Sequence, residues 1–185
     1  NAKRMERLID TVLDYRAIQS NAFSLNMSEI ALAQVIDNVV SDYNAVRRTD
    51  DPVVVVDGVE VGFTVSGDAQ ALGRALRHLI DNAADFAPPE TDVRLVVSRP
   101  DQATVRISVI DQGVGIPPGV GDRVFDRFWQ SSAGGRRSHS GVGLGLTLAK
   151  EIIAMHAGEI GYRRDLSVGT EFFVNLPVLS APETA

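Results

Sequence analysis

Two neighbouring strand patterns joined by a short turn most constrain the fold of this 185-residue chain. The segments "DVRLVVSR" (92–99) and "ATVRISVID" (103–111) are rich in β-branched residues and are bounded by turn residues. Such neighbours predict an antiparallel hairpin. A second hairpin is predicted from strands at 159–164 and 169–177. A sheet with mostly antiparallel neighbours therefore organises the chain.

Helical periodicity separates these strands. Asp68 is a candidate N-cap for a helix over 69–86, which the two prolines from Pro88 end. Further helices are predicted over 29–47 and 142–156. The order predicts an α+β fold, a two-layer α/β sandwich with a mixed, mostly antiparallel sheet and helices on one face.

Three shorter elements complete the predicted order. The segments "DPVVVVDG" and "VGFTVSG" read as two short strands, and Asp57-Gly58 between them is a hairpin signal. A short helical stretch is predicted near 120–128 within an otherwise irregular segment. The last residues, 179–185, read as a disordered tail.

The first twenty residues carry a narrow apolar stripe at helical spacing. Its members are Met5, Leu8, Ile9, Val12, Tyr15 and Ile18. A narrow stripe between charged faces is typical of a coiled-coil-like seam and predicts a dimerising helix, although an ordinary surface helix fits the same pattern. Because the chain starts at Asn1 inside this pattern, we expect it to be a piece of a longer protein.

Composition excludes several classes of protein. The chain has no cysteine, which excludes disulfides and thiolate chemistry and suits a reducing cytosol. Its formal net charge of −6 argues against a general nucleic-acid binder. No apolar run approaches the length of a membrane span. The P-loop, the dinucleotide fingerprint, the G-x-S-x-G elbow and the H-E-x-x-H zinc motif are all missing from the sequence.

Three polar segments remain that could bind one ligand. Asn82 lies within a predicted helix, Asp111 ends a strand before Gly113 and Gly115, and "SGVGLGLTLAK" (140–150) leads into a helix. Alone, the asparagine is a polar helix position and the aspartate begins a turn. Together, a carboxylate can accept from an amine, an amide oxygen can ligate Mg²⁺, and glycine-lined amides can hold phosphates. The set fits an adenine nucleotide.

Five segments resemble, in order and spacing, the motifs of a known family. They are "LRHLIDNAADF", "DQGVGIP", "VFDRFWQ", "GVGLGL" and "GTEFFVNLP". They are similar to the N, G1, F and G2 boxes and the final glycine-threonine element of the ATP-binding domain of sensor histidine kinases, in the GHKL ATPase superfamily. The resemblance covers about 1–178 and implies the Bergerat fold. It implies a second helix of a dimerisation and phosphoacceptor hairpin over 1–25 and a catalytic domain over 26–178.

The resemblance assigns roles by position. It implies that Asp111 binds the adenine amino group, that Asn82 ligates Mg²⁺, and that Gly113 and Gly115 shape the adenine pocket. The other implied nucleotide-binding residues are Asp85, Phe86, Phe125, Phe128, Gly141, Gly143, Leu144, Gly145, Leu146 and Thr170. The stretch 129–140 is expected to be the ATP lid, with Phe125 and Phe128 as its hinge.

Three positions depart from the family pattern. His78 stands where the family usually has asparagine and where hydrolysing relatives carry a catalytic glutamate, so His78 joins Asn82 as a candidate catalytic residue and favours phosphotransfer. Asp85 replaces a lysine or arginine, and Gln130 replaces an arginine that Arg127, Arg136 or Arg137 could substitute. A carboxylate near a triphosphate is repulsive unless it turns away or joins the metal shell. The alternative is a degenerate, weakly binding regulatory module.

The implied function is transfer of the ATP γ-phosphoryl group to a histidine. None of His78, His139 and His156 fits the family's acceptor position, so the resemblance implies an acceptor on a preceding helix, in cis or on a partner subunit. It also implies a response regulator as the next partner, a homodimer and a cytoplasmic domain of what is often a membrane receptor. A serine-directed or hydrolysing relative is the less favoured alternative.

Overall fold

The computed structural model describes residues 2–20, 22–57, 62–130, 143–164 and 169–179. The helices are α1 (Ala2–Gln19), α2 (Leu32–Val46), α3 (Ala69–Phe86) and α4 (Gly145–Met155), with a 3₁₀ helix at Gly121–Phe125. The strands are β1 (Ser28–Ala31), β2 (Val54–Asp57), β3 (Thr64–Gly67), β4 (Val93–Asp101), β5 (Thr104–Asp111), β6 (Glu159–Arg163) and β7 (Thr170–Pro177).

Five strands form the main sheet, in the order β2-β4-β5-β7-β6. Only the β2–β4 pair is parallel, and the other three neighbours are antiparallel. Strand β5 pairs with β7 from end to end, which sets Asp111 opposite Thr170. The two longer predicted hairpins, β4–β5 and β6–β7, and the mixed, mostly antiparallel sheet are confirmed.

The predicted hairpin at Asp57 is wrong. Strand β2 instead joins the edge of the main sheet in parallel with β4, while β3 pairs with β1 in a separate two-stranded sheet. Asn44 of α2 holds β2 at its start, because its side chain donates to the Val54 carbonyl and accepts from the Val54 amide, at 2.9 and 3.0 Å. Gly58 lies outside the described residues.

The boundaries of α2 and α4 differ from the predicted ones. The predicted helix over 29–47 starts only at Leu32, because Ser28–Ala31 is extended and sets Ile30 opposite Val65 in β1–β3. The last helix is described from Gly145 and ends at Met155. The predicted helix over 69–86 is confirmed, and Oδ1 of Asp68 caps it by accepting from the Ala71 amide at 2.9 Å.

The core lies between one face of the main sheet and the helices α2, α3 and α4. The largest fully buried side chains are Leu32, Ile36, Leu72, Leu76, Leu79, Ile80, Leu95, Ile107, Leu148, Ile152, Ile153 and Leu176. Burying each such side chain stabilises the fold by roughly 1.5–3 kcal/mol. This core holds rigid the ends of α3, β5 and β7, which is where the candidate site residues lie.

Helix α1 keeps part of its apolar stripe in solvent. Met5, Ile9 and Val12 are 64%, 53% and 38% exposed, as a seam without its partner would be. The helix also contacts the sandwich, because Asp14 pairs with Arg74 of α3 at 2.6 Å. Within the described part of the chain, no helix is long and apolar enough to cross a bilayer.

Candidate functional site

A cleft opens where the C-terminal end of α3 meets the ends of β5 and β7. It contains a cavity of about 30 Å³, which is room for a water molecule or two. Its lining residues are Asn82, Phe86, Asp111, Gly115, Ile116, Pro117, Val124, Trp129, Leu146, Thr170 and Phe172. Six of the predicted site residues, from four separate segments, therefore meet at one place.

Asp111 is the charged group at the floor of the cleft. Its side chain is 2% exposed, and Gly113 donates its amide hydrogen to Oδ1 at 2.7 Å. Burial raises the pKa of Asp111 to about 6, although the backbone amides of Gly113 and Thr170 act in the opposite direction. The carboxylate is thus held by two amides in an apolar setting, where it is a strong acceptor for a further donor.

Two glycines make the placement of Asp111 possible. A Cβ atom at Gly113 would lie 2.5 Å from the Phe86 carbonyl oxygen and 2.8 Å from Oδ1 of Asp111. A Cβ atom at Gly169 would overlap the Asp111 carbonyl oxygen, and this glycine has a φ of +96°. Side chains at either position would displace the carboxylate or the strand end that bears it.

Helix α3 brings Asn82 and Phe86 to the cleft wall from adjacent turns. Asp85 does not line the cleft, although its Oδ1 atom is shielded from solvent. His78 lies one turn before Asn82, and its Nδ1 atom is 3.4 Å from where a Cβ atom of Gly145 would be. The two predicted catalytic residues, His78 and Asn82, therefore face the start of α4 from the same helix.

Burial keeps His78 uncharged at neutral pH. It lowers the pKa of His78 from its ordinary value of 6.5, against the opposing effect of Asp81 and Asp14. A neutral imidazole has one donor and one acceptor nitrogen. His78 is thus suited to hydrogen bonding rather than to charge neutralisation.

The start of α4 forms the second end of the site. Leu144 is 3% exposed and is the N-cap residue of α4, where it makes no side-chain hydrogen bond to the helix. Among the described residues, the N-cap side chain therefore offers no acceptor to the first amides of the helix, and the positive end of the helix dipole favours an anion there. Gly141 and most of the predicted lid, 131–140, lie outside the described residues.

Gly143 contacts the segment that contains the predicted hinge. Its carbonyl accepts from the Phe128 amide at 2.9 Å. A Cβ atom at Gly143, whose φ is +72°, would lie 2.8 Å from Phe128 backbone atoms and from the Trp129 carbonyl oxygen. This close backbone approach is a reason for glycine that the sequence alone did not indicate.

The predicted hinge residues differ in their surroundings. Phe125 is buried and packs edge-on against Phe172, with ring centroids 6.1 Å apart. Phe128 is 63% exposed and has a φ of +60°, an unusual conformation for a bulky residue. Neither of them lines the cleft.

Five lining residues were missing from the predicted binding set: Ile116, Pro117, Val124, Trp129 and Phe172. Phe172 could have been found, since it shares the core-facing parity of Thr170 along β7. Trp129 was expected only as the first lid residue. These side chains make the cleft wall apolar, as a planar heterocycle requires.

The α/β sandwich, with a buried carboxylate at a glycine-lined floor, has the arrangement expected of the predicted nucleotide-binding class of protein. Comparison with known families agrees. Residues 67–180 match the model of the family described as "Histidine kinase-, DNA gyrase B-, and HSP90-like ATPase". The chain belongs to this family.

Curated relatives are named as signalling kinases. The chain is 37% identical over 142 residues to "Signal transduction histidine-protein kinase/phosphatase MprB" of Mycolicibacterium smegmatis, covering 77% of this chain and 28% of the relative. It is 26% identical over 182 residues to "Hybrid signal transduction histidine kinase D" of Dictyostelium discoideum, covering 96% of this chain and 12% of the relative. The chain thus spans less than a third of the length of either relative.

Solved structures share the fold. A mycobacterial sensor histidine kinase MprB structure superposes with a TM-score of 0.70 at 31% identity, covering 82% of this chain and 97% of the other. The structure titled "ShkA full-length in complex with AMPPNP" gives a TM-score of 0.74 at 25% identity, covering 95% of this chain and 36% of that one. The predicted fold and the predicted family are confirmed.

Proposed function

We propose that this chain is the ATP-binding catalytic unit of a two-component sensor histidine kinase. It would transfer the γ-phosphoryl group of ATP to a histidine on a phosphoacceptor helix. The observation that carries the proposal is the buried Asp111 carboxylate, held by two backbone amides at the floor of an apolar cleft. The names of the relatives support the same class of enzyme.

Asp111 recognises the purine in this proposal. Its free lone pairs accept from the exocyclic amine of adenine, while Phe86, Ile116 and Phe172 enclose the ring. A charge-assisted hydrogen bond in an apolar site is stronger than a neutral one. Thr170 lies on the opposite strand and donates its amide to the same carboxylate, so both strands orient it.

The residues at the cleft fit a magnesium ion that the protein shares with a nucleotide. Among the described residues, no group of three or more His, Cys, Asp or Glu side chains could hold a metal. Asn82 contributes a single amide oxygen, a hard donor that suits Mg²⁺, and the phosphates supply further ligands. When bound, the ion neutralises charge on the phosphates.

The phosphates are placed at the start of α4. The amides that follow Leu144, which the N-cap side chain does not engage, offer donors, and the helix dipole adds positive potential. His78 lies beside Gly145, within reach of the same region. His78 stands where the family resemblance implies a catalytic glutamate in hydrolysing relatives, and the absence of that carboxylate from this position supports transfer to an imidazole over hydrolysis.

The partners follow from the same proposal. The phosphoacceptor helix hairpin of the longer protein supplies the histidine, and a response regulator takes the phosphoryl group from it. The exposed residues of α1, such as Met5 and Ile9, form part of a dimer seam. The unit would act in the cytoplasm, attached in the full-length protein to a membrane-anchored sensor.

A phosphotransfer assay tests the proposal. The chain is mixed with a separately produced acceptor hairpin and ATP labelled at the γ-phosphate, and acid-labile label on the hairpin is measured. We expect transfer by the wild type and by Asn38→Ala, which alters an exposed residue of α2. Asn82→Ala is expected to lower transfer by about 100-fold or more, since the metal loses its protein ligand. A folded wild-type chain that neither binds ATP nor labels the hairpin would contradict the proposal.

A further inference from the structure

A chain of hydrogen bonds connects the first turn of α4 to the segment from Phe125 to Trp129. Thr147 is 6% exposed, and its hydroxyl donates to the Phe125 carbonyl at 2.9 Å. That carbonyl belongs to the last residue of the 3₁₀ helix, where no intrahelical donor remains. Thr147 thus caps the 3₁₀ helix from a different element.

The residues after the cap are fixed by further backbone bonds. The Trp129 amide donates to the Asp126 carbonyl at 3.2 Å, and the Phe128 amide donates to Gly143 at 2.9 Å. Between these bonds, Phe128 adopts its φ of +60°. A bulky residue in this region costs roughly 1–3 kcal/mol and persists only where its surroundings impose it.

Trp129 is the residue that this arrangement presents to the cleft. It lines the cavity together with Leu146 and Thr170. Because Trp129 forms part of the cleft wall, a ring that enters the cleft comes to lie against its indole. The position of Trp129 therefore affects how readily the cleft admits its ligand.

We propose that Thr147 is a positioning residue for nucleotide binding. Its hydroxyl fixes the Phe125 carbonyl, which holds Phe128 in its unfavourable conformation and keeps Trp129 on the cleft wall. Without the hydroxyl, the Phe125 carbonyl loses its partner, Phe128 relaxes to negative φ, and Trp129 leaves the wall. The inference rests on the proposed nucleotide site, but the position of Trp129 can be measured without any nucleotide.

The test compares three variants by tryptophan fluorescence. Trp129 is the only tryptophan of the sequence, so emission and acrylamide quenching report its surroundings directly. Thr147→Val removes the hydroxyl at nearly constant shape, and Thr147→Ser restores it. Thr91→Val is the matched control, because Thr91 makes an equivalent bond to the Pro88 carbonyl at 2.8 Å and does not line the cleft.

We expect Thr147→Val to shift the emission to longer wavelength and to raise the quenching constant about twofold in nucleotide-free protein. Its Kd for MgATP should rise by about 3- to 10-fold, which is the effect of one lost hydrogen bond. The same factor should appear in KM, with kcat nearly unchanged. Thr147→Ser and Thr91→Val should match the wild type in all five quantities, and thermal melts establish that each variant is folded.

Wild-type emission, quenching and Kd in folded Thr147→Val would overturn the inference. So would equal changes in Thr91→Val, because the effect would then be general loss of stability. Should Thr147→Val not fold, Thr147→Ala makes the same test with a smaller side chain. If the wild type fails to bind ATP, the proposed function fails, whereas the nucleotide-free fluorescence still decides the role of Thr147.

Discussion

The two glycine-containing ends of the cleft use their glycines for different purposes. At the β5–β7 end, Gly113 and Gly169 leave space around Asp111, so that a side chain can be held as the binding group. At the α4 end, Gly143 lets its backbone meet the backbone of Phe128. The glycines of the β5–β7 end thus position a carboxylate, whereas the glycine of the α4 end positions the main chain.

Within each end of the cleft, glycines that look equivalent in the sequence also differ in backbone conformation and in the space around them. Gly115 has a φ of +75°, but its Cβ atom would make only an ordinary contact of 3.4 Å with the Gly169 carbonyl oxygen. Gly145 has no positive φ, and its Cβ atom would lie 3.4 Å from the His78 ring. Spacing alone therefore does not tell which glycine the structure requires.

The largest effect is expected for Gly169→Ala. A methyl group there would overlap the Asp111 carbonyl and require a left-handed backbone, so we expect the free energy of unfolding to fall by more than about 3 kcal/mol. Urea denaturation measures the loss. Gly119→Ala is the control, because its φ of +83° is similar but nothing lies within 4 Å, and it should cost only about 1–2 kcal/mol. Equal losses in the two variants would show that the contact with Asp111 is unimportant.

The next largest effect is expected for Gly143→Ala, which we compare with Gly145→Ala. Gly143→Ala should raise the Kd for MgATP by about 10-fold or more and destabilise the fold, because a Cβ atom would meet Phe128 at 2.8 Å. Gly145→Ala should change the free energy of unfolding by about 0.5 kcal/mol or less, since its Cβ atom would make only an ordinary 3.4 Å contact with the His78 ring and its φ is not positive. Titration calorimetry and denaturation measure both quantities. Loss of ATP binding by a fully stable Gly145→Ala would mean that the phosphates lie too close to this residue to leave room for a Cβ atom.

The third prediction concerns the pH dependence of stability at the Asp111 end. Burial raises the pKa of Asp111 to about 6, above its value in the unfolded chain. The protonated side chain therefore contributes fully to the free energy of unfolding below pH about 4, and this contribution is lost as pH rises through 6. The ionised carboxylate thus costs stability at neutral pH. At pH 8 the free energy of unfolding of Asp111→Asn should be about 1–3 kcal/mol higher than that of the wild type, and at pH 4 the two should be equal. The variant should bind ATP poorly at both pH values. An unchanged or lower stability at pH 8 would count against a strained, buried charge.

The smallest effect is expected at Asp85, which stands where the family resemblance implies a lysine or arginine facing the phosphates. Removing its charge in Asp85→Asn should lower the Kd for MgATP by about 3- to 10-fold at low salt and less at high salt, because one repulsive charge is lost. Asp37→Asn makes the same change of net charge on an exposed face of α2 and should leave the Kd unchanged. A weaker affinity in Asp85→Asn would place this carboxylate in the metal shell instead.

Local signals in the sequence predicted most of the fold. Asp68 was identified as a cap because its partner, the Ala71 amide, is three residues away. The hairpin at Asp57 was wrong because the partner of each strand lies elsewhere: β2 pairs with β4, and β3 with β1. The sequence of a short apolar strand does not specify which other strand it pairs with.

The candidate site followed the same rule. The predicted residues that line the cleft come from motifs whose order identifies the family, and those motifs carry the chemistry. Trp129 and Thr147 were not assigned to the binding set, because their partners lie far along the chain: Thr147 bonds to Phe125, and Trp129 meets Leu146 and Thr170 at the cleft wall. Contacts of this kind depend on how distant helices and strands pack together, which local sequence patterns do not specify.

The most direct test of the account is a calorimetric comparison of MgATP with MgITP, in which an oxo group replaces the adenine amine. If Asp111 accepts from that amine, the wild type should bind ATP at least about 30-fold more tightly, because the buried carboxylate would face an acceptor in the inosine nucleotide. Asp111→Asn should lose most of this discrimination. Equal affinity of the wild type for the two nucleotides would contradict the assignment of Asp111 as the purine-recognition group.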